Sequence, residues 1–161
     1  MPSKLIILAA GISSRMKTSS NQSLNELQLN QANFRSKCMI EVGKHKRPFL
    51  LYLLENARLA GFREICIILN ERDSFTESYF NQFRPKNMTI SYVYQKVPSD
   101  RLKPLGTADA VLQGIKSFRY YRNLSFVVCN SDNLYSVKAF RILLNSSSRN
   151  AMIDYDFVGL E

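Results

Sequence analysis

With 161 residues the chain has the length of one domain, and a globular chain of this size buries roughly 70% of its unfolded surface, enough for a core without covalent staples. Hydrophobic residues make up 45%, with ten Phe, eight Tyr and no Trp, which excludes a disordered tail, a collagen-like fibre and a low-complexity chain. Twenty-two Lys and Arg against 13 Asp and Glu leave a net charge of +9, which favours anionic partners without saying whether the anion is nucleic acid, membrane or a small phosphate.

Lys4–Ala10 is a continuous apolar run ending at Gly11, as a strand buried on both faces requires. Thr18–Ser36 breaks that pattern, with four Asn, three Gln, four Ser and neither Gly nor Pro. Two readings stay open there: a mobile loop of the kind that forms lids, or a short polar helix over Leu24–Ala32 capped by the Ser23/Glu26 spacing. Phe49–Ala60 reads as a helix, with Leu50, Leu53, Leu54 and Ala57 on one face, Pro48 at its start and Gly61 at its end. Glu64–Leu69 is the next strand, and Asp73 with the Ser74/Glu77 capping-box pair opens a short helix. Thr89–Tyr94, β-branched and aromatic, is a third strand. Ala108, Val111, Leu112 and Ile115 form the apolar stripe of a helix capped by Thr107. Leu124–Cys129 is a fourth strand, Val137–Leu144 a helix starting at Ser136, and Ala151–Val158 a last strand. This alternation predicts a mostly parallel sheet covered by helices on both faces, a three-layer α/β/α domain over residues 1–159. Leu160–Glu161 has the look of a vector-derived remnant, which two residues do not establish.

Cys38, Cys66 and Cys129 are odd in number, widely spaced and without a CxxC pair, and the chain has one His. A disulfide framework and a zinc site are therefore not expected, and Cys66 and Cys129, inside apolar runs, read as buried thiols of a reducing compartment. The longest apolar runs, Leu5–Ala10 and Phe49–Leu54, are too short to span a bilayer. Lys4 and the run after it imitate a signal peptide only faintly, because Gly11 breaks the run and Arg15 and Lys17 follow. The expected location is the cytoplasm.

In open parallel sheets ligands bind beyond the C-terminal strand ends, so the residues following each strand carry the functional reading. The first strand runs into Leu8-Ala9-Ala10-Gly11-Ile12-Ser13-Ser14-Arg15-Met16-Lys17. Small residues, exposed N–H groups and two cations suit a polyphosphate; the same residues equally make a tight strand-to-helix turn with solvated Arg15 and Lys17. The third strand leads to Gln95 and, after a loop, to Pro104-Leu105-Gly106-Thr107-Ala108-Asp109-Ala110-Val111. A glycine at a helix mouth admits a flat ring or a phosphate, and also serves as an ordinary helix start. The fourth strand ends at Asn130-Ser131-Asp132-Asn133. A carboxylate there can hold a hard cation with phosphate oxygens, or simply form a turn.

Taken together, these segments resemble the N-terminal part of the sugar-phosphate nucleotidyltransferase family, the nucleoside-diphosphate-sugar pyrophosphorylases. Leu8–Lys17 is similar to the family's L-A-A-G-x-G-x-R loop. Lys37, with Met39–Gly43 and Arg47-Pro48, resembles its activating Lys followed by a short strand and G-K-P. Gln95 with Gly106–Val111 resembles its Gln and G-T-A-x-A, and Ser131-Asp132-Asn133 its G-D-N. Ser13 replaces the second loop glycine, a form also similar to nucleotidyltransferases of molybdopterin-cofactor synthesis. The prolines usual between Arg and activating Lys are absent, and Thr18–Ser36 stands in their place, so Lys17 is the alternative phosphate lysine.

The resemblance implies a Rossmann-like fold of the nucleotide-diphospho-sugar transferase type, ending before most of the family's sugar-binding half and before its second metal-binding Asp. Asp154 and Asp156 are the only aspartates after Asp132. It further implies attack of a sugar-1-phosphate oxygen on the α-phosphorus of a nucleoside triphosphate, with pyrophosphate leaving. In that scheme the loop of Leu8, Ala9, Ala10, Gly11, Ser13 and Ser14 holds the triphosphate with Arg15. Lys37 neutralises the α-phosphate, Asp132 holds Mg²⁺, and Gln95, Gly106 and Thr107 hold the base, Gln95 as both donor and acceptor. No membrane or nucleic-acid partner is implied, and such a shortened chain is expected to transfer poorly.

Two other classes compete. One is a non-catalytic nucleotide-binding or regulatory module. The other is a basic nucleic-acid-binding domain, for which only Phe118, Tyr120 and Tyr121 among Lys116, Arg119 and Arg122 speak; a cationic helix end explains that cluster. His45, between Lys44 and Lys46, reads as a solvated loop residue.

Overall fold

The computed structural model describes residues 4–12, 25–117 and 125–154. Strands β1 (Lys4–Ala9), β4 (Glu64–Asn70), β5 (Thr89–Gln95) and β6 (Phe126–Asn130) form one wholly parallel sheet in the order β5-β4-β1-β6. A separate antiparallel pair joins β2 (Glu41–Val42) to β3 (Arg47–Pro48). The helices are α1 (Glu26–Phe34), α2 (Phe49–Ala60), α3 (Thr76–Phe83), α4 (Thr107–Ser117) and α5 (Val137–Leu144), with a 3₁₀ turn at Lys37–Met39. None of these helices is long and apolar enough to cross a membrane.

The period-2 alternation of the strands divides the interior into two layers. Leu5, Ile7, Ile65, Ile67, Val127 and Cys129 face one side, where Leu50, Leu53, Leu54 and Ala57 of α2, Phe80 of α3 and Phe140 of α5 cover them. Ile6, Cys66, Ile68 and Val93 face the other side, under Ala110 and Ile115 of α4. Central strands with both faces buried must be apolar throughout, which is why β1 and β4 read as unbroken hydrophobic runs.

The structure corrects several details of the sequence reading. The polar insertion does contain a helix, but it starts at Glu26, with Asn25 as cap and Gln28 as the reciprocal partner, not Ser23 and Glu26. Ser74 and Glu77 form no capping box. Asp73 accepts from the Phe75 and Thr76 N–H groups instead, while Glu77 takes the Tyr94 hydroxyl. Thr107 is the first helical residue of α4, and the cap position belongs to Gly106, whose carbonyl accepts the Ala110 N–H at 3.1 Å. The buried stripe of α4 is turned from the expected one. Ala110 and Gly114 are buried while Ala108 and Leu112 are exposed, because Gly114 seats directly on Ile68, 2.8 Å from where a Cβ would stand. Residues 151–154 are not a strand, and 155–158 lie outside the described residues. Ser136 caps α5 as expected, accepting the Ala139 N–H at 3.1 Å.

All three cysteines are buried free thiols. Burial pushes Cys66 and Cys129 up to about 12, and Cys38 up to about 11 against the opposing hydrogen bonds of Ser36 and Ser131. Since the thiolate is the reactive form, the native protein is expected to resist iodoacetamide at pH 8, whereas all three thiols alkylate in denaturant. Thiols that ionise near pH 9 when unfolded and only near 11–12 when folded also make stability fall with rising pH across that window. Mass spectrometry of labelled native protein checks the first expectation; rapid native labelling of Cys66 or Cys129 contradicts it.

Candidate functional site

From β1 the chain builds outward on one side through β4 and β5 and then returns to add β6 on the other side of β1. This reversal opens a crevice over the C-terminal strand ends, where such sheets bind ligands. A cavity of about 490 Å³ lies there, and Gly11, Lys37, Gln95, Gly106, Thr107 and Asp132 all border it, as do Leu8, Ala9 and Ala10.

Short-range bonding explains this convergence. Ser131 N–H donates to the Leu8 carbonyl at 3.1 Å, extending the β6–β1 ladder by one step and setting Asp132 beside the Ala9–Gly11 turn. Asn70, at the end of β4, donates to the Ala10 carbonyl at 3.3 Å and holds the same turn from the other side. Among the described residues, an added Cβ at Gly11 or Gly106 would meet nothing within 4 Å. Gly106 has φ +111°, a conformation that favours glycine, so the base of this loop is a glycine for backbone reasons as well.

Lys37 reaches the crevice from the 3₁₀ turn, which Cys38 and Met39 anchor in the core. The turn is held at its entry. Ser36 Oγ lies 3.4 Å from Thr76 Oγ1, which donates to Asp73 Oδ2 at 2.8 Å. Helix α1 braces it further: Arg35 pairs with Glu41 at 2.7 Å and lies 4.5 Å over the Phe75 ring, and Gln31 exchanges hydrogen bonds with Glu41. The outcome is a Lys37 Nζ–Asp132 Oδ2 separation of 3.6 Å across the mouth.

Gln95 is 2% exposed at the end of β5. Its Nε2 donates to the Gly106 carbonyl at 3.1 Å and to Asp109 Oδ2 at 2.7 Å, so both amide hydrogens are engaged within the protein. This corrects the expectation of Gln95 as donor and acceptor to a base: its donor side is spent in the fold. Sequence reasoning passed over Asp109, Gln113, Asn70 and Lys103, of which Lys103 borders the cavity. Asp109 was visible inside the Gly106–Val111 segment, but its pairing with residues 14 positions away in sequence was not. Ser13, Ser14, Arg15 and Lys17 lie outside the described residues, as do Phe118–Arg122 and Asp156. His45 is exposed.

No group of three or more His, Cys, Asp or Glu side chains converges among the described residues. Among the described residues, Asp132 is the acidic side chain bordering the cavity. That donor set does not make a resident protein-caged metal. It does fit Mg²⁺, which commonly takes one or two carboxylates and completes its shell with phosphate oxygens and water.

A parallel α/β sheet with a cleft at its switch point defines a Rossmann-like domain. The family model for nucleotidyl transferases matches residues 32–158, and the chain belongs to that family. Solved structures share the fold at low identity. A UDP-glucose pyrophosphorylase from Acinetobacter baumannii matches with TM-score 0.59 and 22% identity over 82% of this chain and 46% of its own. HddC from Yersinia pseudotuberculosis matches at 0.55 and 23%, over 80% and 47%. A UDP-glucose pyrophosphorylase complexed with UDP-glucose matches at 0.61 and 20%, over 88% and 51%. The chain thus spans about half the length of these proteins. No curated protein matches it closely.

Proposed function

We propose that this chain binds a nucleoside triphosphate over the C-terminal ends of β1, β5 and β6 and serves nucleotide transfer to a sugar-1-phosphate. The observation that supports this best is the meeting of Gly11, Lys37, Gly106 and Asp132 around one cavity in a member of the nucleotidyl transferase family. Neighbours of the same fold carry UTP or UDP-glucose.

In the proposed reaction an oxygen of the acceptor phosphate forms a bond to the α-phosphorus, and the bond from that phosphorus to the bridging oxygen of the β-phosphate breaks, releasing pyrophosphate. The acceptor is itself the nucleophile, so the protein has to align two polyanions and offset their charge. Backbone N–H groups from Gly11 onward, with Arg15, cradle the triphosphate. Lys37 lies across the mouth to neutralise the approaching phosphates, while Gly106 and Thr107 leave room for the base. Asp132 would hold Mg²⁺, which supplies Lewis-acid stabilisation of phosphate charge when bound.

A second reading, binding without transfer, is favoured by the single acidic side chain that borders the cavity among the described residues. One experiment addresses both. Calorimetric titration of the chain with the four common ribonucleoside triphosphates in magnesium buffer, followed by a pyrophosphate-release assay with a panel of sugar-1-phosphates, is expected to give binding. Binding with release supports transfer, and binding without release supports the module. Absence of binding at millimolar nucleotide refutes both.

A further inference from the structure

A polar chain runs beneath the mouth of the cavity, and its direction is set at one end. The Asp73 carboxylate only accepts, and its Oδ2 takes the Thr76 hydroxyl hydrogen at 2.8 Å. With its one hydrogen spent, Thr76 Oγ1 accepts from Ser36 Oγ, 3.4 Å away. Ser36 in turn accepts from the Cys38 thiol, whose Sγ is 3.6 Å from Ser36 Oγ. The Cys38 sulfur is then left as the acceptor for the Ser131 hydroxyl, its other side-chain hydrogen-bond partner. Thr76, Cys38 and Ser131 are all buried, so water competes little for these bonds. The chain thus connects the start of α3 to the end of β6. It passes through the neighbours of two functional groups: Ser36 and Cys38 flank Lys37, and Ser131 precedes Asp132. The family's G-D-N has no side chain at the place of Ser131, so the last link is this chain's own.

The ion pair above this chain does not hold itself in place. Lys37 and Asp132 are exposed and 3.6 Å apart, and an exposed pair gains too little to offset the rotamer freedom of a lysine. We propose that Cys38 and Ser131 are positioning residues: their hydrogen bond latches the turn carrying Lys37 to the strand end carrying Asp132 and sets the two across the cavity mouth for a triphosphate. The latch acts on the backbone at the base of each side chain. Lys37 and Asp132 then meet a bound phosphate and its cation with less freedom left to lose. This inference rests on the proposed nucleotide site and adds what keeps its lysine and its carboxylate in register.

The test is a double-mutant cycle on the 161-residue chain, read by calorimetric titration in magnesium buffer with whichever of ATP, GTP, CTP and UTP the parent binds most tightly. Cys38→Ala, which removes both thiol bonds, is expected to weaken binding by about fivefold or more, the scale of coupling within one hydrogen-bonded network. Lys37→Ala added to Cys38→Ala is expected to cost far less than it costs in the parent, because a lysine out of register has less to lose. Cys38→Ser, which keeps one donor and one acceptor at that place, is expected to bind as the parent does. A role in folding alone would lower the thermal midpoint and leave the cost of Lys37→Ala the same in both backgrounds. Should Cys38→Ala not fold, as judged by circular dichroism, Ser131→Ala, which cuts the last link alone, takes its place in the cycle with the same expectations. Full additivity with Lys37→Ala, unchanged binding by the folded alanine variant, or Cys38→Ser binding no better than Cys38→Ala overturns the latch while leaving the nucleotide site standing. Failure of all four triphosphates to bind removes the nucleotide site and the inference with it.

Discussion

Lys37→Ala is expected to weaken nucleoside triphosphate binding by roughly ten- to hundredfold, the 1.5–3 kcal/mol of a lost charged hydrogen bond to phosphate. Its effect on stability should be small. The Lys37–Asp132 pair is 59% and 47% exposed and its atoms are 3.6 Å apart, and an exposed ion pair of that kind contributes about 0–1 kcal/mol. The two measurements therefore separate: calorimetry moves and the thermal midpoint does not. Asp132→Asn is expected to show the complementary pattern, with the magnesium dependence of binding reduced and the midpoint again unchanged. A Lys37→Ala variant that binds triphosphate as the parent does would transfer the proposed phosphate role to Lys17.

Phe140→Ala is expected to cost about 3–5 kcal/mol of folding stability, a large share of the 5–15 kcal/mol that a domain has. Phe140 is 1% exposed on α5, with its ring edge-on to Phe62 at 5.5 Å and tilted against Tyr135 at 5.7 Å. The space left by alanine is held open, because α5 is tied to α2 by the Arg141–Leu59 hydrogen bond and the segment leading into α5 by the Asn56–Tyr135 hydrogen bond. Thermal denaturation should show a midpoint lower by about 10 °C, at the usual 2–4 °C per kcal/mol for a chain of this length. Phe140→Leu, which keeps most of the volume, should lose well under half as much. A drop of under about 2 °C for the alanine variant would mean that α5 is not part of the cooperative core.

The parts of the fold legible in the sequence are those where one residue type satisfies a local demand. The unbroken apolar runs of β1 and β4 can only be central strands, since each face must be covered. Phe49–Ala60 was readable to the residue because Pro48 and Gly61 punctuate both ends and its apolar stripe packs without compromise. The misread caps of α1 and α3 show the limit of local reasoning. Ser23, Asn25, Ser74 and Asp73 are all competent caps, and the choice depends on where the helix meets the rest of the molecule. For α4 the stripe was misplaced because its close approach to Ile68 needs Gly114, a residue that hydrophobic periodicity does not count.

The sequence by itself determined the α/β class, the succession of strands and helices, and the set of residues at the strand ends from which a family resemblance could be drawn. It determined these because strand burial, helix periodicity and turn chemistry act over a few neighbouring residues. The tertiary structure alone decided that β6 returns to the far side of β1, that Lys37 and Asp132 come within 3.6 Å of one another, and that Gln95 turns its donor side into the fold. Each of these is a contact between segments distant in the chain, set by how the layers pack and by which buried polar groups must find partners, and no local pattern encodes it.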